Sequence, residues 1–230
     1  MSIASCFANR SERAAAFRQN KLYLVISSEF TNGRSVPEIF EAACAGGIRL
    51  IQLREKNRGA KFLYEQARIC RKIANKYGTL MMIDDMLDAA LLSGADGVHL
   101  GQDDLPVSAA RQLTPDLLLG CSTHDLPEAL AACAEDCDYI NIGPIYATAT
   151  KTHLPVPPLG PENLRKISSA IPQIPFSVMG GIKQERFGEL YAHGARLFAM
   201  VTEITRAENV EQKVKELLAA YAAAERGIKA

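Results

Sequence analysis

AKFLYEQARICRKIANKYGTLMMIDDMLDAALLSGADGVHLG, residues 60–101, alternates twice between two kinds of periodicity. Residues 60–77 carry apolar side chains at the 3.6-residue spacing of a helix, and Gly78 supplies a common C-terminal stop. LMMIDD (80–85) is a short apolar run ending in two acids, which reads as a buried strand. MLDAALLSG then returns to the helical pattern and stops at Gly94, and GVHLG (97–101) is again strand-like. The same beat runs outward in both directions. KLYLVIS (21–27) precedes SVPEIFEAACAGG, and RLIQLRE (49–55) leads into the helix at 60. Downstream, LLLGCST (117–123), YINIGPI (139–145), PFSVMGG (175–181) and LFAMVTE (197–203) are each followed by a helical stretch.

Eight strand–helix units in about 200 residues predict an α/β chain folded as one (β/α)8 TIM barrel over residues 21–228. A doubly wound open sheet is the competing architecture. It would normally carry a G-x-G-x-x-G turn after its first strand, and LVISSEFTNGRS lacks that spacing. Residues 1–20 form an extra N-terminal segment, helical or disordered. Its Ala, Ser and Arg content resembles a transit peptide only slightly, so an additional helix before the first strand is expected.

The 230 residues are 48% hydrophobic and 23% charged, with 26 charges of each sign. That balance offers no nucleic-acid or membrane surface, so any anion site must be local. No run reaches the length of a membrane span. The six cysteines are scattered and read as reduced core thiols of a cytoplasmic protein, because Cys133 and Cys137 lack a second pair at metal-binding spacing.

In such a barrel the chemistry gathers at the C-terminal ends of the strands. Strand alternation puts Gln52, Arg54 and Lys56 on one face of QLREK, with Leu53 and Glu55 on the other. An amide and two cations on the inward face call for an anion. Asp84 and Asp85 end the third strand, and Asp103 and Asp104 follow the fourth. Neighbouring strands lie about 5 Å apart, so one carboxylate from each can share a divalent cation. The alternative for such aspartates is to cap the next helix. His99, flanked by Val98 and Leu100, reads as a hydrogen-bonded structural histidine, and His124 as a loop or packing residue.

GPIYATATK (143–151) brings two hydroxyls and an ammonium to a strand end, and MGG (179–181) and VTEIT (201–205) follow strands where phosphate is often bound. Together QLREK, the paired aspartates, GVHLGQDD, GCSTH, GPIYATATK and GGI resemble the thiamine-phosphate synthase family over roughly residues 21–215. That resemblance implies a transferase joining a hydroxymethylpyrimidine diphosphate to a thiazole phosphate, with release of pyrophosphate. It implies that Gln52, Arg54, Glu55, Lys56, Asp84, Ser122 and Lys151 bind the pyrimidine diphosphate. Arg54, Lys56, Lys151 and Ser122 would then carry the chemistry. Asp85 and Asp104 would hold Mg²⁺, and Thr148, Thr150, Gly180, Gly181, Val201 and Thr202 would hold the thiazole phosphate. The family mechanism is dissociative and needs no protein nucleophile. A homo-oligomer is left open.

The chain departs from the family where Asp84 replaces a usual Asn, where THLPVPPLG is rich in proline, and where VTEIT replaces smaller apolar residues. Asp84 either accepts a hydrogen bond from the pyrimidine's amine or repels the diphosphate. Two other readings stand beside the synthase. One is a thiazole tautomerase on the same barrel, and the other is a non-catalytic barrel that binds a phosphate ligand.

Overall fold

The structure, a computed structural model, describes residues 4–148, 150 and 156–229. Its strands are β1 (Leu22–Ile26), β2 (Leu50–Leu53), β3 (Leu80–Asp84), β4 (Gly97–Leu100), β5 (Leu118–Thr123), β6 (Tyr139–Ile142), β7 (Phe176–Val178) and β8 (Phe198–Met200). They pair in parallel in chain order, and β8 closes onto β1 through Leu22–Phe198 and Leu24–Met200. The expected barrel is therefore the observed one.

Helix α1 (Arg10–Arg18) precedes the barrel. Helices α2 (Val36–Gly46), α3 (Ala60–Tyr77), α4 (Leu87–Ser93), α5 (Val107–Leu113) and α6 (Leu126–Ala134) follow the first strands. Then come α7 (Gly160–Ala170), α8 (Phe187–Ala192), the short α9 (Thr202–Thr205) and α10 (Val210–Lys229). The glycine stops work as expected: Gly47, Gly78 and Gly94 take positive φ at the ends of α2, α3 and α4. At the other end of α2, Ser35 and Glu38 form a reciprocal capping box. Among the described residues, no helix is long and apolar enough to cross a membrane.

Alternation along the strands sorts the barrel into two cores. Outward residues such as Leu24, Ile51, Ile83, Val98 and Ile140 pack against the helices. Inward residues Tyr23, Leu50, Leu80, Met82, Leu118, Tyr139, Leu197 and Ala199 fill the N-terminal half of the interior, and Phe17 of α1 plugs that end. The Phe17 and Tyr139 rings lie 4.3 Å apart between centroids. Gly120 makes room for Tyr139, since a Cβ there would lie 2.1 Å from the phenol ring.

Higher in the barrel the inward positions turn polar: Gln52, Asp84, His99, Ser122, Asn141 and Ser177. Buried polar groups are expensive unless they are paired or meet a ligand. The change from apolar to polar filling therefore marks the working end.

Candidate active site

Four of these polar groups and the two buried tyrosines beneath them form one directional chain of hydrogen bonds. Asp84 fixes its sense, because its carboxylate can only accept, so the Gln52 amide nitrogen donates to it. The Gln52 carbonyl is left to accept from Tyr23 Oη at 2.7 Å. Tyr23 has only one O–H, so it accepts from Tyr139 at 2.9 Å. Tyr139 in turn accepts from His99 Nδ1 at 3.0 Å, and for a neutral imidazole Nε2 accepts from Ser122 Oγ, also at 3.0 Å. Burial raises the pKa of both phenols, which keeps their protons in place. His99 is thus hydrogen-bonded on both sides, as its setting in the sequence suggested, and it also lines the cleft above. His124 pairs locally with Glu128, at 2.9 Å, and beyond the loop or packing role expected of it also lines the neighbouring cleft of Thr148 and Thr150.

The first cleft, of about 370 Å³, lies over this network and is lined by Gln52, Arg54, Lys56, Asp84, Asp85 and Ser122, among others. Arg54 Nε lies 3.3 Å and Lys56 Nζ 3.5 Å from Asp84 Oδ2, and Lys56 also pairs with Asp85. Burial opposes charge on Lys56, but Asp84 and Asp85 outweigh it and its pKa is raised. Asp85 adopts a left-handed backbone with φ 58°. Asp is among the few L-residues that tolerate that region, and such conformations concentrate at functional sites.

Burial first, and then the neighbouring Asp84, push the Asp85 carboxyl up to about 7, while a hydrogen bond with Asp104 acts in the same direction and Lys56 opposes it. Two carboxyl groups forced together in this way suit a shared hard cation. Among the described residues no group of three or more His, Cys, Asp or Glu is placed to hold a metal. A carboxylate pair is what Mg²⁺ uses when water and substrate phosphates complete its shell, so the residues present fit that ion. The capping alternative fails. Met86 and Pro106 occupy the N-cap positions of α4 and α5, and neither helix has a side-chain cap. Asp104 instead accepts from the Gly101 N–H at 2.6 Å.

A second cleft, also of about 370 Å³, adjoins the first and is lined by Ser122, Asn141, Thr148, Thr150, Met179 and Gly180 among others. A third, of about 420 Å³, continues from it past Gly181 to Val201 and Thr202. The Thr148 and Thr150 hydroxyls are 2.9 Å apart, and both face the second and third clefts. Gly180 and Gly181 have φ of 98° and 61°, and a Cβ on either would lie 2.6 Å from the segment 144–147. The glycine pair thus lets the loop after β7 lie flat against the loop after β6. Backbone bonds from Ile145 to Met179 (2.8 Å) and from Tyr146 to Gly180 (3.0 Å) fasten the two.

The structure separates Glu55 from the expected set. Both of its oxygens are taken by the Ser28 N–H (2.9 Å) and hydroxyl (2.8 Å), on the outward side that strand alternation assigns it. It ties β2 to the loop after β1 and does not line the cleft. Lys151 lies outside the described residues. Asn141, Met179, Lys183 and Glu203 line the clefts without having been anticipated. Asn141 was accessible to the same alternation argument, since it shares the inward face with Tyr139. All six cysteines are free, and none lines the three clefts.

Several known proteins are similar to this chain. The family described as thiamine monophosphate synthase matches residues 22–204. A thiamine-phosphate synthase from Shouchella clausii is 41% identical over 201 residues, covering 87% of this chain and 95% of the relative. One from Pelotomaculum thermopropionicum is 41% identical over 199 residues, covering 86% and 90%. The solved structure of a thiamine phosphate pyrophosphorylase from Pyrococcus furiosus superposes with a TM-score of 0.80 at 31% identity, covering 89% of this chain and 96% of that one.

Proposed function

We propose a specific reaction for this chain, which belongs to the thiamine monophosphate synthase family and with it to the transferases. The reaction joins 4-amino-2-methyl-5-hydroxymethylpyrimidine diphosphate to 4-methyl-5-(2-phosphoethyl)thiazole, giving thiamine phosphate and pyrophosphate. The observation that carries it is the contact between two unlike clefts. One is lined by Arg54, Lys56 and acidic groups, the other by paired threonines and glycines, and they share Ser122, Asn141 and Met179.

The pyrimidine diphosphate occupies the first cleft. Asp85 and Asp104 would hold Mg²⁺, which when bound adds two positive charges beside the diphosphate oxygens. Ser122 stands at the border of the two clefts beside the pyrimidine diphosphate, and Arg54, Lys56 and Lys151 supply the remaining cations. These groups stabilise charge where it develops as the methylene C–O bond breaks and its electron pair leaves with pyrophosphate. The thiazole phosphate, held by Thr148, Thr150, Gly180, Gly181, Val201 and Thr202, presents its ring nitrogen to the pyrimidine cation, and the nitrogen lone pair forms the new C–N bond. No side chain needs to act as a nucleophile.

Asp84 reduces the net positive charge around the diphosphate. It also orients Gln52 and holds Arg54 and Lys56 within 3.5 Å, so it serves as an organiser of the cationic wall.

Release of pyrophosphate from the two substrates with Mg²⁺ tests the reading. It is expected only when both are supplied. A thiazole tautomerase would instead convert a thiazole phosphate isomer with no pyrophosphate released, and a non-catalytic barrel would bind without turnover.

Replacing both Thr148 and Thr150 with Val keeps their shape and deletes two donors, at about 1–3 kcal/mol for groups facing a charged ligand. The KM for thiazole phosphate is expected to rise while that for the pyrimidine diphosphate holds. The reverse pattern would show that this loop serves the other substrate.

A further inference from the structure

We infer that Asn141 touches the substrate and positions the pyrimidine ring, by donating a hydrogen bond from Nδ2 to a ring nitrogen. The inference rests on the reaction proposed above and adds a residue to it.

Asn141 lies on the inward face of β6, in register with Ser122 of β5 on one side and Ser177 of β7 on the other. It is 7% exposed. Its Oδ1 accepts from the Ser177 hydroxyl at 3.1 Å, and Ser177 is fully buried, so the carboxamide is anchored from behind. Nδ2 carries two N–H groups. Among the described residues they meet Met179 Sδ at 3.6 Å, and a thioether is a weak acceptor. A buried amide with its carbonyl fixed and its donors this poorly matched is costly in the free protein. A ligand acceptor in the cleft removes that deficit.

Position and chemistry select the acceptor. Asn141 lines the cleft of Arg54 and Asp85 and also the cleft of Thr148 and Thr150, so it sits where the two substrates meet. It lies within a strand, whereas Arg54, Lys56, Asp85 and Asp104 lie beyond the strand ends. The diphosphate is therefore held above it and the heterocycle reaches down towards it. The thiazole nitrogen must keep its lone pair free to attack, and a donor aimed at it would block the reaction. The pyrimidine ring nitrogens keep their lone pairs throughout and can accept.

A bond made equally in the bound substrate and in the transition state contributes to KM and not to kcat. Pyrophosphate release by the wild type and by Asn141→Ala, Asn141→Asp and Ser177→Ala, with each substrate varied in turn, separates the possibilities. Asn141→Ala is expected to raise the KM for pyrimidine diphosphate about tenfold, equivalent to about 1.4 kcal/mol, with kcat and the thiazole phosphate KM nearly unchanged. Asn141→Asp has the same shape but faces the ring nitrogen with an acceptor, so its rise should be larger. Ser177→Ala frees the amide to rotate and should give a smaller rise of the same kind.

A fall in kcat at unchanged KM, an equal rise in both KM values, or an unchanged KM in Asn141→Asp overturns the inference. Calorimetric titration with pyrimidine diphosphate and Mg²⁺ keeps the two readings apart. A wild type that binds but does not turn over overturns the reaction, and the Kd of Asn141→Asp then decides the role of Asn141 by the same criterion.

Discussion

Replacing Asp104 with Ala is expected to lower kcat/KM by about three orders of magnitude, or about 4 kcal/mol of transition-state stabilisation, while leaving the thermal midpoint close to that of the wild type. Asp104 is half-buried in the loop after β4 and adds little to the core, so its loss should be felt in chemistry and not in folding. Its second contact, with the Gly101 N–H at 2.6 Å, allows a different explanation, in which Asp104 merely shapes the loop after β4. Asp104→Asn separates the two. The amide still accepts from Gly101 but no longer contributes a negative charge towards a divalent cation. If the carboxylate serves the cation, Asn should be nearly as damaging as Ala, and activity should return only at much higher Mg²⁺. If Asn restores activity, or if the wild type is fully active in excess chelator, the metal assignment falls.

One face of QLREK and the paired aspartates stand out plainly in the sequence from strand ends that would otherwise be simple turns. Period-two alternation sends Gln52, Arg54 and Lys56 inward and Glu55 outward. The structure obeys it for Glu55, which the resemblance had grouped with the substrate contacts. Asn141 escaped notice for the opposite reason. One polar residue in YINIG looks like a tolerated exception until Ser122 and Ser177 are seen in register beside it.

The glycines of MGG were visible, but their need for positive φ comes from the neighbouring segment 144–147, a packing relation that no local pattern carries. The same limit applies to the N-terminal segment. A helix could be expected there, but Phe17 reaching Tyr139 inside the barrel is a long-range contact, and so is the chain of hydrogen bonds from Tyr139 to Ser122.

The residue with the largest expected effect on folding was also hidden, because Asp96 in SGADG reads as an ordinary turn acid. It is fully buried at the start of β4. Arg71 of α3, itself fully buried, donates to it at 2.6 Å, the Met81 N–H at 2.8 Å, and Arg13 of α1 approaches at 3.4 Å, with the Ser5 hydroxyl also in contact. One carboxylate thus joins α1, α3, β3 and β4.

Asp96→Ala would leave the Arg71 guanidinium buried without its counter-ion and strip an acceptor from a strand N–H. Breaking a buried pair from one side is worth about 3–5 kcal/mol, against a total of about 5–15 kcal/mol for a folded domain. The variant is therefore expected to unfold at a far lower urea concentration than the wild type, or to fail to fold. Pairing Asp96→Ala with Arg71→Met removes the stranded charge, so the double variant should be more stable than Asp96→Ala alone. Urea unfolding of the three chains decides the point. If the double variant is no more stable than the single one, the burden lies in the lost bonds to Met81, Arg13 and Ser5, and the carboxylate acts as a clasp for those groups instead of as the partner of Arg71.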